Sequence, residues 1–254
     1  MTPPPIATRE IAREERFNDV WKNDLQEVFA DVAPYYDRAN AIATLGMLGW
    51  LERRFIAGID LRPRERVLDV CAGTNAIGTA LLRKEPTLQM HAIDRSAAMQ
   101  RVGGERARAQ GLRIESTIGD VHTLPFPDAH FDVVTLQFAS RHLRVRRVFS
   151  EIHRVLKPGG RFHHCDMLRP ANRAIELAYY AYLRPCLSIT ARAFGSGRAA
   201  LACRRYFIDA LRYFYSADEL SHVLRELGYT DVSGRTVLGG TVGFHRAVKP
   251  SAGG

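Results

Sequence analysis

Residues 67–76 read Val-Leu-Asp-Val-Cys-Ala-Gly-Thr-Asn-Ala, an apolar run that ends in a short turn containing glycine. The run at 66–71 predicts a buried β-strand, since it is short, rich in β-branched residues and bounded by turn residues. The pattern after the turn, near 76–84, is typical of a helix. A strand, a tight turn and a helix in this order usually open a parallel α/β sheet.

The same alternation continues along the chain. We predict further strands at 89–94, 113–118, 131–137 and 160–166 and helices near 96–110 and 145–156, with a sharp turn at Lys157-Pro-Gly-Gly160. The tail predicts a helix at 217–227 that ends at Gly228, and two strands at 230–237 and 241–248 around Gly239-Gly240. The predicted fold is a Rossmann-like, mostly parallel seven-stranded sheet with helices on both faces and a closing antiparallel hairpin.

The segments outside this pattern suggest two additions. Residues 1–12 are rich in proline and are expected to be frayed, whereas 17–32 and 38–59 have apolar residues at helical spacing. We therefore divide the chain into an N-terminal tail and helical cap at 1–62 and a main domain at 63–250. Within that domain, 171–215 is rich in tyrosine, phenylalanine and arginine and is predicted to form a helical lid, although an ordinary packed helix pair would have a similar composition.

Composition excludes several classes of protein. With 46% hydrophobic and 25% charged residues in 254, the chain is typical of a globular protein. The net charge of +9 comes without a basic run interleaved with aromatic residues, so we expect no nucleic-acid partner. A solvated arginine-rich surface explains this charge most simply, and contact with an anionic membrane surface is the first functional alternative.

The spacing of the cysteines indicates whether a metal site is expected, and the length of the apolar runs indicates where in the cell the protein is expected. The four cysteines form no CxxC pair, and His163 and His164, adjacent in a predicted strand, would point to opposite faces. We therefore expect reduced thiols and no metal. The N-terminus lacks the apolar segment of a signal peptide, and no uncharged apolar run reaches 18 residues. The expected location is the cytoplasm, with peripheral contact at the inner face of the membrane and homodimer formation as open alternatives.

Acidic residues follow three successive predicted strands. Asp69 ends the first strand, Asp94 ends the second 25 residues later, and Asp120 follows the third. A carboxylate at the end of the second strand can accept hydrogen bonds from both ribose hydroxyls of a nucleoside. Since the first turn lacks the G-x-G-x-x-G pattern that seats a pyrophosphate, an adenosyl cofactor without one fits better than a dinucleotide. The plainer alternative is that these residues only shape and cap turns.

Four motifs resemble those of the UbiE family of quinone-ring C-methyltransferases. The most specific is the opening Val28-Phe-Ala-Asp-Val-Ala-Pro-Tyr-Tyr-Asp-Arg-Ala-Asn40, which is similar to the family's "vF-x-x-VA-x-x-YD-x-x-N". The others are "LPF-x-D-x-x-FD-x-VT" at 124–135, "E-x-x-RVLKPGG" at 151–160 and the tail at 238–245. The resemblance spans about residues 29–249.

This resemblance implies a class I S-adenosylmethionine (SAM)-dependent methyltransferase of ubiquinone or menaquinone biosynthesis, with a prenylated quinol as acceptor. With the strand-end residues, it predicts a set of SAM contacts: Asp69, Gly73, Thr74, Asn75, Asp94, Arg95, Asp120, Val121 and Gln137. The expected substrate contacts are Tyr36, Asp166 and Tyr206, and the expected catalytic residues are Arg141 and His142.

Two departures from the family pattern affect the expected chemistry. Where the family has "GTGD", this chain has Gly73-Thr-Asn-Ala76, so a glycine and an acid near the methyl donor are replaced. Asparagine tolerates a positive φ, so Asn75 can preserve the backbone path, but Ala76 cannot replace a carboxylate. In the family's "FG(I/L)RN" loop, which reads Phe138-Ala-Ser-Arg-His-Leu143, the arginine is kept and the amide becomes His142.

Three functions follow as hypotheses. In quinol C-methylation, Arg141 would stabilise a phenolate or orient a water, because guanidinium stays protonated, and His142 would accept the phenolic proton unless it is simply a packed histidine. The altered turn and loop would also suit a SAM-dependent methyltransferase that acts on another small molecule. The loss of the acid at Ala76 would suit a third alternative, a non-catalytic SAM-binding paralogue.

Overall fold

A seven-stranded sheet forms the centre of the protein. The computed structural model describes residues 6–20, 46–193 and 204–251. The strands lie in the order β3-β2-β1-β4-β5-β7-β6, and β7 runs antiparallel to both its neighbours. Their bounds are β1 Arg66–Val70, β2 Gln89–Asp94, β3 Glu115–Ile118, β4 Phe131–Gln137, β5 Leu156–Met167, β6 Thr230–Val237 and β7 Val242–Val248. The predicted Rossmann-like sheet with a closing antiparallel hairpin is confirmed.

Helices connect and cover these strands. Their bounds are α1 Ile6–Asp19, α2 Leu48–Ala57, α3 Ala76–Lys84, α4 Ala97–Arg108, α5 Val145–Val155, α6 Arg173–Ala193, α7 Arg204–Arg212 and α8 Ala217–Glu226. Local sequence explains where two of them begin. Ser96 accepts a hydrogen bond from the Met99 amide at the start of α4, and Ser216 and Glu219 form a capping box at the start of α8.

The core lies on both faces of the sheet because side chains alternate along each strand. Leu68 and Val70 of β1 pack into one cluster with residues of α5 and α8. Val67 faces the other cluster, which includes residues of α2 and α3. Each fully buried aliphatic or aromatic side chain contributes about 1.5–3 kcal/mol relative to exposure, so these two layers fix the sheet and hence its strand ends.

The N-terminal segment differs from expectation. The prediction of a frayed stretch at 1–12 is wrong for residues 6–12, which belong to α1. Tertiary contacts hold this helix: Arg9 pairs with Glu219 at 2.7 Å, and the Arg13 guanidinium donates to the Leu143 carbonyl. Most of the helix predicted at 17–32 and the first part of that at 38–59 lie outside the described residues.

The junction between α5 and β5 also differs. Instead of a turn that precedes a strand at residue 160, β5 already begins at Leu156. Its pairing with β4 shifts between Phe131 and Val133, so the Lys157–Gly160 stretch forms an irregularity within the strand. Gly159 has φ of +76° there, which explains the glycine.

The predicted lid contains α6 and α7, which contact each other, while 194–203 lies outside the described residues. The division at residue 62 and the lid role remain predictions. Within the described ranges, no helix is long and apolar enough to cross a membrane.

Candidate active site

The carboxyl ends of β1, β2 and β4 meet at one edge of the sheet. Strand β1 lies between the other two, with Asp69 opposite Ala92 of β2 and opposite Thr135 of β4. From β1 the chain order proceeds to β2 and β3 on one side and to β4 and β5 on the other. Such a reversal point is where open α/β sheets bind ligands.

The turn after β1 has an unusual backbone. Cys71, Gly73 and Asn75 have φ of +57°, +53° and +56°. A side chain built at Gly73 would meet no atom within 4 Å, so the backbone borders open space. The predicted positive φ of Asn75 is confirmed. Because every second residue of this turn has a left-handed backbone conformation, the backbone bends sharply and a ligand can approach its amides.

Asp94 ties this turn to the end of β2. Its Oδ2 accepts a hydrogen bond from the Gly73 amide at 2.9 Å, and its Oδ1 accepts one from the Ser96 amide at 2.8 Å. Burial raises the pKa of this carboxyl, while the two amides act in the opposite direction. Each carboxylate oxygen has a second lone pair, so Asp94 can still accept from ligand hydroxyls.

Asp69 is the most perturbed acid of the site. It is almost fully buried, and its Oδ1 accepts a hydrogen bond from the Thr135 hydroxyl at 2.7 Å. Burial raises its pKa to about 7, with a further rise from the Asp94 charge and an opposing effect of Thr135. A carboxyl that gains a charge near neutral pH is sensitive to a cationic ligand group beside it.

Helix α4 supports the turn from behind through two residues that sequence reasoning missed. The Gln100 side-chain amide donates to the Gly73 carbonyl at 2.9 Å and to Asn75 Oδ1 at 3.1 Å. At Gly103, an added Cβ would lie 2.6 Å from the carbonyl carbon of Thr74. Glycine lowers the stability of a helix interior, so a glycine at this helical position is a sequence signal that another backbone, here that of Thr74, lies close to the helix.

Asp120 follows β3, and His122 connects it to the loop beyond β4. Asp120 Oδ1 lies 2.7 Å from His122 Nδ1, and His122 Nε2 accepts a hydrogen bond from the Arg144 amide at 3.1 Å. Burial would raise the Asp120 pKa, but the hydrogen bonds from His122 lower it overall. The Asp120 side chain is 57% exposed, which leaves it accessible to a ligand.

The remaining predicted cofactor residues lie near the same strand ends. Thr74 and Val121 are buried, and Arg95 is exposed directly after Asp94. Gln137 ends β4, and its Nε2 is buried without a hydrogen-bond partner among the residues that the structure describes. Such a donor is costly unless a ligand or water satisfies it. The structure therefore brings the predicted cofactor residues to one region, and their roles remain predictions.

Asp166 and Arg141 form a buried ion pair beyond β4. Arg141 Nη1 lies 2.5 Å from Asp166 Oδ1 and donates to the Phe138 carbonyl at 2.7 Å. The backbone amides of Arg141 and Met167 also donate to the carboxylate, at 3.2 and 2.7 Å. Asp166 is fully buried, so it fixes the position of the guanidinium.

Further hydrogen bonds connect Asp166 to Ser140 and His164. The Ser140 hydroxyl donates to Asp166 Oδ2 at 2.6 Å, and His164 Nε2 lies 2.8 Å from the same hydroxyl. Since the only proton of Ser140 points to Asp166, His164 must donate to Ser140. Sequence reasoning missed Ser140 and the structural role of His164; polar residues at fully buried positions are the signal, but burial is visible only in the fold.

His142 lies beside Arg141 and contacts α7. Its Nδ1 is 2.6 Å from the Tyr206 hydroxyl, and the ring is 7% exposed. Burial, with the charges of Arg141 and Arg13, lowers its pKa well below the ordinary value of 6.5. His142 is therefore neutral at physiological pH. The structure joins two predicted site residues, His142 and Tyr206, whereas Tyr36 lies outside the described residues.

The sequence predicted no metal site at the histidines and cysteines. Among the residues described, no three His, Cys, Asp or Glu side chains are grouped as metal ligands. Cys71, Cys165 and Cys186 form no disulfide among the described residues, and Cys203 lies outside the described ranges.

Comparison with known proteins agrees with this geometry. The family model "ubiE/COQ5 methyltransferase family" matches residues 17–249. The chain is 32% identical over 232 residues to the demethylmenaquinone methyltransferase of Streptomyces avermitilis, covering 91% of this chain and 96% of the relative. It is 31% identical over 228 residues to the ubiquinone/menaquinone biosynthesis C-methyltransferase UbiE of Pseudomonas putida, covering 88% of each.

The fold also matches solved methyltransferases. Phosphoethanolamine N-methyltransferase 2 of Haemonchus contortus, solved in complex with phosphomonomethylethanolamine and S-adenosylhomocysteine, superposes with a TM-score of 0.59 at 16% identity. The match covers 81% of this chain and 53% of that enzyme. At this identity the likeness establishes the class I methyltransferase fold.

Proposed function

Since this chain belongs to the ubiE/COQ5 methyltransferase family, we propose that it methylates a ring carbon of a prenylated quinol, either demethylmenaquinol or a ubiquinol precursor. The chain is a SAM-dependent methyltransferase with a small-molecule acceptor. The observation that carries the quinol proposal is the Arg141–Asp166 pair, which joins the loop after β4 to β5; β4 itself pairs with β1, the strand that leads into the turn at residues 71–75.

The strand-end residues fit SAM. Asp94 offers carboxylate lone pairs for the ribose, and the open backbone at Gly73 leaves room for the ligand. Asp69, with its raised pKa, is suited to a nearby ammonium group, which favours the charged carboxylate. Asp120, partly exposed, and the buried amide of Gln137 would complete the contacts. SAM, when bound, supplies an electrophilic methyl group.

The protein's own residues would then position and activate the acceptor. Methylation of a ring carbon requires an electron-rich ring, and a phenolate is more electron-rich than a phenol. Arg141 keeps its positive charge at neutral pH, so it would stabilise phenolate oxygen without acting as a base. Asp166 and Ser140 hold the Arg141 loop in place, and we assign Asp166 to positioning Arg141 rather than to direct substrate contact.

His142 is the candidate proton acceptor. If its Nδ1–H donates to Tyr206, Nε2 carries the lone pair that would accept the phenolic proton. Burial beside Arg141 disfavours the imidazolium form, so a proton received there would pass on to solvent.

The experiment supplies the purified enzyme with SAM carrying a labelled methyl group and with demethylmenaquinol. We expect mass spectrometry to locate the label on the ring. Arg141→Ala should lower kcat at least about a hundredfold, whereas Arg147→Ala, a surface arginine bound to the His122 carbonyl, should retain activity. Full activity of Arg141→Ala would contradict its assigned role.

A second acceptor class, a specialised-metabolite ring or heteroatom, is favoured by Ala76 and His142, which replace family residues. Turnover of other phenols but of no demethylquinol would support it. Turnover that is lost in Arg141→Ala would also exclude the non-catalytic alternative.

Peripheral membrane contact is part of the quinol proposal, because a prenylated acceptor partitions into lipid. The net charge of +9 supports contact with an anionic surface at the cytoplasmic side. We expect cosedimentation with vesicles that contain phosphatidylglycerol, and weaker cosedimentation with neutral vesicles. Light scattering would test the predicted homodimer.

A further inference from the structure

Tyr179 on α6 has a buried hydroxyl that lacks a hydrogen-bond partner among the described residues. Other buried tyrosines of this protein do have partners: Tyr180 donates to Glu176 at 3.1 Å, and Tyr229 donates to the Phe149 carbonyl at 2.8 Å. A buried hydroxyl without a partner destabilises a fold, so it is seldom retained unless a ligand or water satisfies it. Tyr179 is therefore a candidate for ligand contact.

The surroundings of Tyr179 place it near the Arg141–Asp166 pair. Its side chain packs, together with that of Met167, against a cluster that includes Tyr180 and Leu183. Met167 directly follows Asp166 in β5. The charges of Arg141 and Asp166 both act on the Tyr179 hydroxyl, although burial is the main reason that its pKa is raised. Tyr179 and the residue that follows Asp166 thus pack on the same cluster.

The Tyr179 hydroxyl and the Arg141 guanidinium together limit which chemical groups could bind between them. A guanidinium only donates hydrogen bonds, and a protonated phenol beside it donates best to an acceptor with negative charge. A neutral amide donor or an ammonium group would gain nothing there. A hydroxyl or phenolate oxygen on an aromatic ring can accept a hydrogen bond from Tyr179 and is attracted by the positive charge of Arg141, and its ring can pack beside the Tyr179 ring.

We propose that Tyr179 donates a hydrogen bond to a ring oxygen of the acceptor and positions that oxygen beside Arg141. This inference rests on the proposed function for the class of acceptor, but it concerns a residue that neither the motifs nor the family resemblance singles out. Tyr179 is a substrate-contacting residue of the lid, and α6 would thereby select acceptors that carry a ring oxygen.

The test uses a probe that does not depend on turnover. Binding of 1-naphthol to the full chain, in the presence of S-adenosylhomocysteine, is measured by titration calorimetry for the wild type, Tyr179→Phe and Tyr180→Phe. We expect Tyr179→Phe to bind 1-naphthol about fivefold to tenfold more weakly, the loss of one hydrogen bond, while its affinity for S-adenosylhomocysteine stays unchanged.

Thermal unfolding of the ligand-free protein gives a second readout. Since Tyr179→Phe removes a hydroxyl without a partner, its Tm should equal or exceed that of the wild type. Tyr180→Phe removes a satisfied hydrogen bond on the same helix, so its Tm should fall while its 1-naphthol affinity stays the same.

Each outcome bears on the proposal. Equal 1-naphthol affinity of the wild type and Tyr179→Phe overturns it, as does a wild type that does not bind 1-naphthol. If Tyr179→Phe binds 1-naphthol more weakly but the wild type methylates no quinol, the hydroxyl contact stands and the quinol proposal fails. If the wild type methylates demethylmenaquinol and Tyr179→Phe does so with unchanged kcat and KM, the quinol proposal stands and the Tyr179 contact fails.

Discussion

The substitution Asp69→Asn should make the ligand-free protein more stable at neutral and alkaline pH. Burial raises the pKa of Asp69 from 3.8 to about 7. Because the folded-state pKa exceeds the unfolded one, the associated stability is fully present below about pH 4 and is lost as the pH rises through about 7. One pKa unit corresponds to about 1.4 kcal/mol, so the loss approaches about 4 kcal/mol at pH 8 as an upper bound.

Asparagine removes this pH dependence without removing the local contact, since its side-chain oxygen can still accept from Thr135. Urea unfolding of both proteins between pH 5 and 8 should give a stability difference that grows with pH in favour of Asp69→Asn. Parallel stability profiles would refute the assignment of a raised pKa to Asp69.

Asp132→Asn is the matched control. Asp132 lies at the amino end of β4, at the opposite edge of the sheet from Asp69, where Lys157 lies 2.6 Å away and the Arg66 amide donates to it. Although partial burial acts to raise its pKa, these hydrogen bonds lower it overall. A lowered carboxyl pKa stabilises the fold above the unfolded pKa, so Asp132→Asn should lose stability at pH 7.

The substitution that stabilises the ligand-free protein, Asp69→Asn, should weaken SAM binding. A cationic group of SAM would favour the charged carboxylate, so wild-type affinity for SAM should increase from pH 6 to pH 8. Asp69→Asn should bind SAM more weakly and without this pH dependence, which calorimetry at the two pH values would measure.

Three further predictions, one of them with a control variant, test the site. Gly103→Ala should lose about 1–3 kcal/mol in urea unfolding and weaken SAM binding, because its Cβ would lie 2.6 Å from Thr74, whereas Gly104→Ala, with no atom within 4 Å, should fold normally. Asp94→Ala should raise the Kd for SAM at least about tenfold in calorimetry; an unchanged Kd would disprove its ribose role. Because the pKa of His142 lies well below 6.5, the kcat profile should show no step near pH 6.5, and such a step that vanishes in His142→Gln would contradict this.

Most of the fold and the positions of the proposed cofactor residues at the strand ends could be predicted from local sequence. Alternating apolar runs and helical patterns identified the strands, and the acids Asp69 and Asp94 were expected at the same edge, where they lie on the neighbouring strands β1 and β2. Asn75 was expected to adopt a positive φ, and it does. These features depend on residues close together in sequence or on the fixed rule that parallel strands end at one edge.

The contacts among the buried polar residues around Arg141 could not be predicted in the same way. Arg141, Ser140 and His164 come together only because β4 pairs with β5 in one register, and His142 meets Tyr206 across 64 residues. The proline-rich start looked frayed, yet α1 is helical because distant partners hold it.

The sequence by itself therefore determined the order of strands and helices, the backbone of the cofactor turn and the acids at its rim, since each follows from periodicity and turn chemistry. Only the tertiary structure decided which polar side chains are buried, which are paired and which, like Tyr179, lack a partner. Burial and pairing depend on contacts between distant segments, and these contacts set the pKa of Asp69 and the position of Arg141.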